Sequence, residues 1–203
     1  MTVERKREIQ ILLSGGGDDI YKVLEKVIEK ESCVFKDKTI SYVAIAAEKN
    51  RELFSLIKNG WSELHSFFLK KGGKSANLVS KVNISELYSD QVVILSGGDT
   101  ETLIKSLIED KFKHNLFESK IDTIIGISAG AIALSKQGLG TLNGSQFLYS
   151  KCLEILPSFI VPHSDSEKEK IYPKATHLKD YEVKSYFIKI KDQDIDSKSK
   201  SDK

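Results

Sequence analysis

No stretch of the chain approaches roughly 18 consecutive apolar residues, so no segment is expected to span a membrane. Cysteine is nearly missing: Cys33 and Cys152 are the only two, which gives neither a zinc-type spacing nor a disulfide framework. Both sit in apolar company and are expected to be buried thiols. An excess of one charge is missing too. The 31 basic residues face 29 acidic ones for a net of +2, and no basic field suited to nucleic acid is implied. Arginine is scarce, with Arg5, Arg7 and Arg51 alone. No apolar core follows the first eight residues, so a signal peptide is not expected and the cytoplasm is the expected compartment. What remains is 203 residues with 40% apolar content, enough for one domain with a substantial core. Residues 1–190 are expected to form it. The polar stretch 191–203 reads as a disordered tail.

The strongest local signal is Thr123-Ile124-Ile125-Gly126-Ile127-Ser128-Ala129-Gly130-Ala131. A buried strand runs into a serine at a cramped turn and then into a small-residue helix start. Gly126-Ile127-Ser128-Ala129-Gly130 fits the Gly-x-Ser-x-Gly nucleophile elbow, which lifts a serine hydroxyl above the carboxyl edge of a sheet. The Ala129 N–H then points where an oxyanion would form. The plain alternative is a glycine-containing turn in which Ser128 is only a helix cap.

Around the elbow, strand and helix patterns alternate. Strands are predicted at Glu8–Leu13, Ile40–Ala47, Ala76–Val82, Asp90–Leu95 and Thr123–Ile127. Helices are predicted at Ile20–Glu31, after Thr100 and over Lys111–Ser119, with a short helical turn at Ile84–Ser89. Asn50–Lys58 and Trp61–Lys71 read as two helical segments broken at Asn59-Gly60. His65 falls in the apolar stripe of the second, which gives it a structural role. Lys136–Asn143 reads as a polar loop, Leu153–Val161 as a bend and a strand, and Tyr181–Ile190 as one alternating strand. The alternation predicts an α/β fold, a doubly wound and mostly parallel sheet, with ligands outside the carboxyl ends of the strands. Two glycine turns belong to that edge. Ser14-Gly15-Gly16-Gly17-Asp18-Asp19 is neither a dinucleotide fingerprint nor a P-loop and is weak as a phosphate site. Ser96-Gly97-Gly98-Asp99-Thr100 allows close backbone approach and precedes a helix N-terminus.

Three segments in order, Ser96-Gly97-Gly98-Asp99-Thr100, Gly126-Ile127-Ser128-Ala129-Gly130-Ala131 and Val161-Pro162-His163-Ser164-Asp165, resemble the dipeptidase E and cyanophycinase family of serine peptidases. The spacing agrees, with 30 residues from Gly98 to Ser128 and 35 from Ser128 to His163. The resemblance covers roughly residues 8 to 165. It implies a flavodoxin-like three-layer αβα sandwich, Ser128 as nucleophile, His163 as general base and an oxyanion hole at the backbone of Gly98 and Ala129. It further implies cleavage of Asp-x dipeptides or other small acidic peptides without metal or cofactor. The expected activity of this chain is hydrolysis of short peptides through an acyl-enzyme on Ser128, by a monomer or homodimer.

Two departures stand out. Relatives place an acid between serine and histidine, yet residues 129–153 hold no Asp or Glu, and Asn143 stands about where one is expected. Glu154 is the one acid in the interval, which makes it the expected third catalytic residue, with Asp165 just beyond. The region after His163 is short, and no arginine lies near the motifs to hold a substrate carboxylate. These departures support a second reading, a catalytically degenerate binding or regulatory protein on the same scaffold. An α/β-hydrolase esterase fits less well, because only 35 residues separate Ser128 from His163. A glutamine amidotransferase would carry cysteine at the elbow.

Overall fold

The computed structural model describes residues 7–116, 118–142 and 145–190; the tail from Lys191 and Asn143 lie outside the described residues. The strands are β1 (Arg7–Ser14), β2 (Thr39–Val43), β3 (Ser75–Val79), β4 (Val92–Leu95), β5 (Thr123–Ile127), β6 (Gln137–Leu142), β7 (Ser145–Tyr149), β8 (Phe159–Val161), β9 (Thr176–His177) and β10 (Val183–Ile190). The helices are α1 (Ile20–Lys30), α2 (Arg51–Lys70), α3 (Thr100–Glu109), α4 (Phe112–Asn115), α5 (Ala129–Leu134) and α6 (Ser166–Ile171).

The main sheet has six strands in the order β10-β1-β5-β4-β2-β3, all parallel except β10, which runs antiparallel to β1. Its central strands β4 and β5 are buried along their whole length, as continuous apolar runs must be when helices cover both faces. One core packs α1 and α2 on one face through Leu24, Val27, Leu64 and Phe68. The other packs α3, α4 and α5 on the opposite face through Leu103, Leu107, Phe112 and Ile132. This is a three-layer α/β sandwich.

The handedness of crossovers accounts for the two faces. Connections that step from β1 to β2 and on to β3 move one way along the sheet, and those from β4 to β5 move the other. Right-handed crossovers therefore put α1 and α2 on one side and α3 and α4 on the other. The order reverses between β2 and β4, so a crevice opens at their carboxyl ends. Side-chain caps start the helices at that edge: Asp19 accepts from the Tyr21 and Lys22 N–H groups, Asn50 from Leu53, and Asp99 from Thr102.

A smaller sheet, β7-β6-β8-β9, packs beside α5. Two sequence expectations change here. The polar loop expected over Lys136–Asn143 contains β6, paired with β7 as a hairpin and with β8 in parallel. Its glycines are there for close approach, not for flexibility: a Cβ at Gly138 would stand 2.6 Å from the Ile132 side chain, and one at Gly140 2.8 Å from Tyr149. The break expected at Asn59-Gly60 is absent, and α2 runs unbroken from Arg51 to Lys70. Packing of Leu64, Phe68, Phe54 and Ile57 onto the core outweighs a glycine deficit of about 1 kcal/mol.

Cys33 is a third correction. Its neighbours Val34 and Phe35 are buried, but the turn rotates Cys33 outward into solvent, while Cys152 is buried. Burial also pushes the Cys152 thiol up to about 11. Titration of the native protein with a disulfide reagent at pH 8 is therefore expected to consume one thiol quickly, at Cys33. The second should react only after unfolding. Two fast thiols would show that the packing around Cys152 is wrong.

Candidate active site

β1, β4 and β5 all end at the same edge, and the loops that follow them build the site. Ser128 follows β5 with φ 49° and ψ −102°, a sparsely populated backbone state that costs of order 1–3 kcal/mol and holds the side chain out of the turn. Its N–H donates to the Ser14 carbonyl at the end of β1 (3.0 Å). Ala129 is the first residue of α5, so its N–H has no acceptor within the helix. Gly98, at φ +133°, brings the loop after β4 alongside: a Cβ there would lie 2.5 Å from the Ala46 carbonyl oxygen. At Gly97 a Cβ would lie 3.5 Å from the Ser128 Cβ. Asp99 next to it is occupied as a cap. Burial alone would push its carboxyl up, but hydrogen bonds from Thr102 and Lys49 outweigh that and hold it low.

His163 reaches the same edge from the smaller sheet. β8 ends at Val161, whose carbonyl accepts from the Leu178 N–H, and the Ser164 N–H donates back to the Leu178 carbonyl (3.0 Å). Between these bonds Pro162 and His163 turn outward, His163 at φ 49°. Lys168 on α6 donates to the His163 carbonyl (2.6 Å). The imidazole Nε2 stands 2.8 Å from Ser128 Oγ, and Nδ1 stands 2.6 Å from Asp180 Oδ1. An ionised carboxylate only accepts, so Nδ1 carries the proton and Nε2 is left to accept the serine hydroxyl.

The acid on His163 is thus Asp180, not Glu154. Glu154 lies at the other end of the sheet: its N–H donates to the carbonyl of Ser135 beyond the last turn of α5, and its carbonyl accepts from Lys113 on α4. Both α3 and α5 run back from the Ser128 edge, so these anchors are remote from it. Asp165 is occupied as the cap of α6, accepting from the Glu167 and Lys168 N–H groups. His177 is also engaged, between the Ser164 hydroxyl (2.7 Å) and the Tyr172 carbonyl (2.9 Å). His65 stacks edge-on against Trp61 on α2.

Asp180 comes to the site because β10 is antiparallel to β1. Val183 pairs with Ser14, the last residue of β1, so the residues just before β10 must stand at the carboxyl edge. The sequence held that signal, an alternating strand expected over Tyr181–Ile190 with Asp180 just before it, but it lies beyond His163 rather than between serine and histidine. The loop carrying Asp180 is latched to the first glycine turn. The Tyr181 N–H donates to the Gly16 carbonyl (2.8 Å), and the Tyr181 hydroxyl donates to Asp18. Among the described residues no group of three or more His, Cys, Asp or Glu side chains is placed to hold a metal ion. No helix among them is long and apolar enough to cross a membrane.

Comparison with known proteins gives one family and a set of folds. The model for peptidase family S51 matches residues 10–195. A crystal structure of a candidate peptidase E protein from Listeria monocytogenes EGD-e is 15% identical and superposes with a TM-score of 0.62, covering 91% of this chain and 98% of that one. A peptidase from an acI-B1 Actinobacterium is 18% identical with a TM-score of 0.60, covering 91% of this chain and 88% of that one. At such identities the two structures speak for the fold alone. No curated protein matches the chain.

Proposed function

The chain belongs to peptidase family S51, and on that premise we propose that it is a serine peptidase that hydrolyses short peptides through an acyl-enzyme. The observation that carries the reading is the continuous line from Ser128 Oγ through His163 to the Asp180 carboxylate, 2.8 Å and 2.6 Å. Ser128 Oγ attacks the scissile carbonyl while its proton passes to His163 Nε2. Asp180 holds the ring in the tautomer that can accept and stabilises the imidazolium that forms. The developing oxyanion takes N–H donors from Ala129 and the Gly98 loop, groups held in place before the charge appears. Collapse breaks the C–N bond, and His163 returns the proton to the departing amine. Water then adds to the ester with His163 again accepting a proton, which releases the acid and restores Ser128.

Two hollows meet at Ser128, each bordered by Gly98 and His163, and they suit one residue on either side of a single bond. That favours substrates of dipeptide size. The Asp180 carboxylate 2.6 Å from His163 supports this reading over a silent scaffold, which rested on a missing acid.

The test is covalent. A fluorophosphonate probe added to the folded protein is expected to mark one site, mapped by mass spectrometry to the peptide containing Ser128. Heat-unfolded protein should take up none, because activation needs the assembled site. A folded protein that stays unlabelled at Ser128 overturns the reading.

A further inference from the structure

The two hollows at Ser128 differ in chemistry. The smaller, about 300 Å³, lies toward β6 and α6 and is mixed, bordered by Ile132, Leu139 and Pro162 but also by Thr100, Thr141, Gln146 and Lys168. The larger, about 530 Å³, lies on the α1–α2 side, walled by Ile20, Tyr21, Leu53, Leu56, Ile57 and Leu64. Tyr42 and Ile127 form its floor, and it runs without interruption to Gly97, Ser128 and His163. Its only charged borders among the described residues are the carboxylates Asp18 and Glu63. The hydrogen bond from Tyr181, with a smaller contribution from the nearby Lys22 cation, lowers the Asp18 carboxyl.

An acidic side chain entering this hollow would lose water, meet no lysine or arginine among the described lining, and face two like charges. Each term opposes binding. An apolar side chain gains from every wall. Leu53, Leu56, Ile57, Gly60 and Leu64 recur at helical spacing, so α2 turns one apolar stripe toward the hollow. Leu56 is 64% exposed at its mouth, which leaves apolar surface for a ligand to cover. The room comes from Gly60 in the middle of that stripe: a Cβ built there meets nothing within 4 Å. Helix continuity did not require glycine at this position, and the empty space beside it is where a larger residue would project.

We propose that the α1–α2 hollow receives the side chain of the substrate residue adjoining the scissile bond and selects a large apolar one, of the phenylalanine or leucine class, over an acidic one, with Gly60 setting its depth. This rests on the serine-peptidase reading. It departs from the acidic peptides that the family resemblance implies.

The test uses three probes on the whole chain: a small fluorophosphonate without a side chain, and aryl aminophosphonates carrying the side chain of phenylalanine or of aspartate. Labelling of Ser128 is followed by mass spectrometry. The phenylalanine analogue is expected to label about 100-fold faster than the aspartate analogue, the scale of filling an apolar pocket. In Gly60→Leu that ratio should fall about tenfold or more. Leucine favours the helix over glycine, so the variant is expected to fold. Equal or reversed rates, or a ratio that Gly60→Leu leaves unmoved, overturn the proposal. So does labelling by the small probe alone. If even the small probe fails on folded protein, the peptidase reading itself is overturned, which separates the two failures.

Discussion

Asp180→Asn is expected to lower kcat for peptide hydrolysis by about 10⁴-fold, while Glu154→Gln changes it by no more than about twofold. The first figure follows from what the carboxylate does in a Ser-His-Asp line. With Asp180 accepting from Nδ1, the imidazole presents a lone pair at Nε2 to the serine 2.8 Å away. An asparagine can offer its NH₂ to Nδ1 instead. The ring then carries its proton on Nε2, and Ser128 loses its base although the geometry is unchanged. At 1.36 kcal/mol per factor of ten, the change is about 5.4 kcal/mol of transition-state stabilisation. Ser128→Ala and His163→Ala should each cost more, about 10⁶-fold, and combining either with Asp180→Asn should add little, because the three act as one unit. Steady-state kinetics on the single and double variants, with circular dichroism to confirm folding, measure all of this. A Glu154→Gln variant as poor as Asp180→Asn would return the third role to Glu154 and contradict the placement of both residues.

How the third residue escaped the sequence shows what a sequence can carry. Ser128 was legible because the elbow is local: strand, serine and helix start lie within nine residues, and steric crowding dictates their types. The alternation of strands and helices is also local, and it gave the layers and the edge at which loops collect. Asp180 is a long-range fact. It stands beside His163 only because β10 closes the sheet antiparallel to β1, and the pairing of Ser14 with Val183 spans nearly the whole chain. Periodicity found that strand but could not choose its partner. Glycine misled in two ways. Gly138 and Gly140 suggested a loop where they relieve contact with Ile132 and Tyr149, and Gly60 suggested a break where α2 leaves space. In each case the meaning of the glycine depends on a neighbour distant in sequence, or on the lack of one. Cys33 failed for a smaller reason: apolar neighbours predict the burial of a segment, and the turn then decides which of its side chains faces in.

Gly16→Ala is the second substitution with a large expected effect, although the residue takes part in no chemical step. Gly16 sits at φ +102°, a backbone state outside the small left-handed basin open to L-residues, so any side chain there carries strain of order 1–3 kcal/mol. Space is missing as well. A Cβ would stand 2.8 Å from His163 Cε1 and 3.2 Å from the Ser128 Cβ, so relief must come from the two residues whose separation matters most. The main chain cannot simply step back, because the Gly16 carbonyl accepts from the Tyr181 N–H and thereby holds the loop that carries Asp180. One methyl group therefore presses on Ser128, His163 and the Asp180 loop together. A displacement near 1 Å at a catalytic group costs about 10²-fold, and with both members of the serine–histidine pair and the acid's loop disturbed, a loss of about 10³-fold in kcat/KM is expected. Thermal unfolding should fall by several degrees, in line with the strain. The glycine turn is thus part of the site through what it leaves out, and binding an anion is not needed to explain it. Kinetics and melting of Gly16→Ala decide the point. Wild-type turnover in this variant would mean that His163 and Ser128 do not approach the β1 loop as closely as the distances require, and the serine–histidine contact would have to be redrawn.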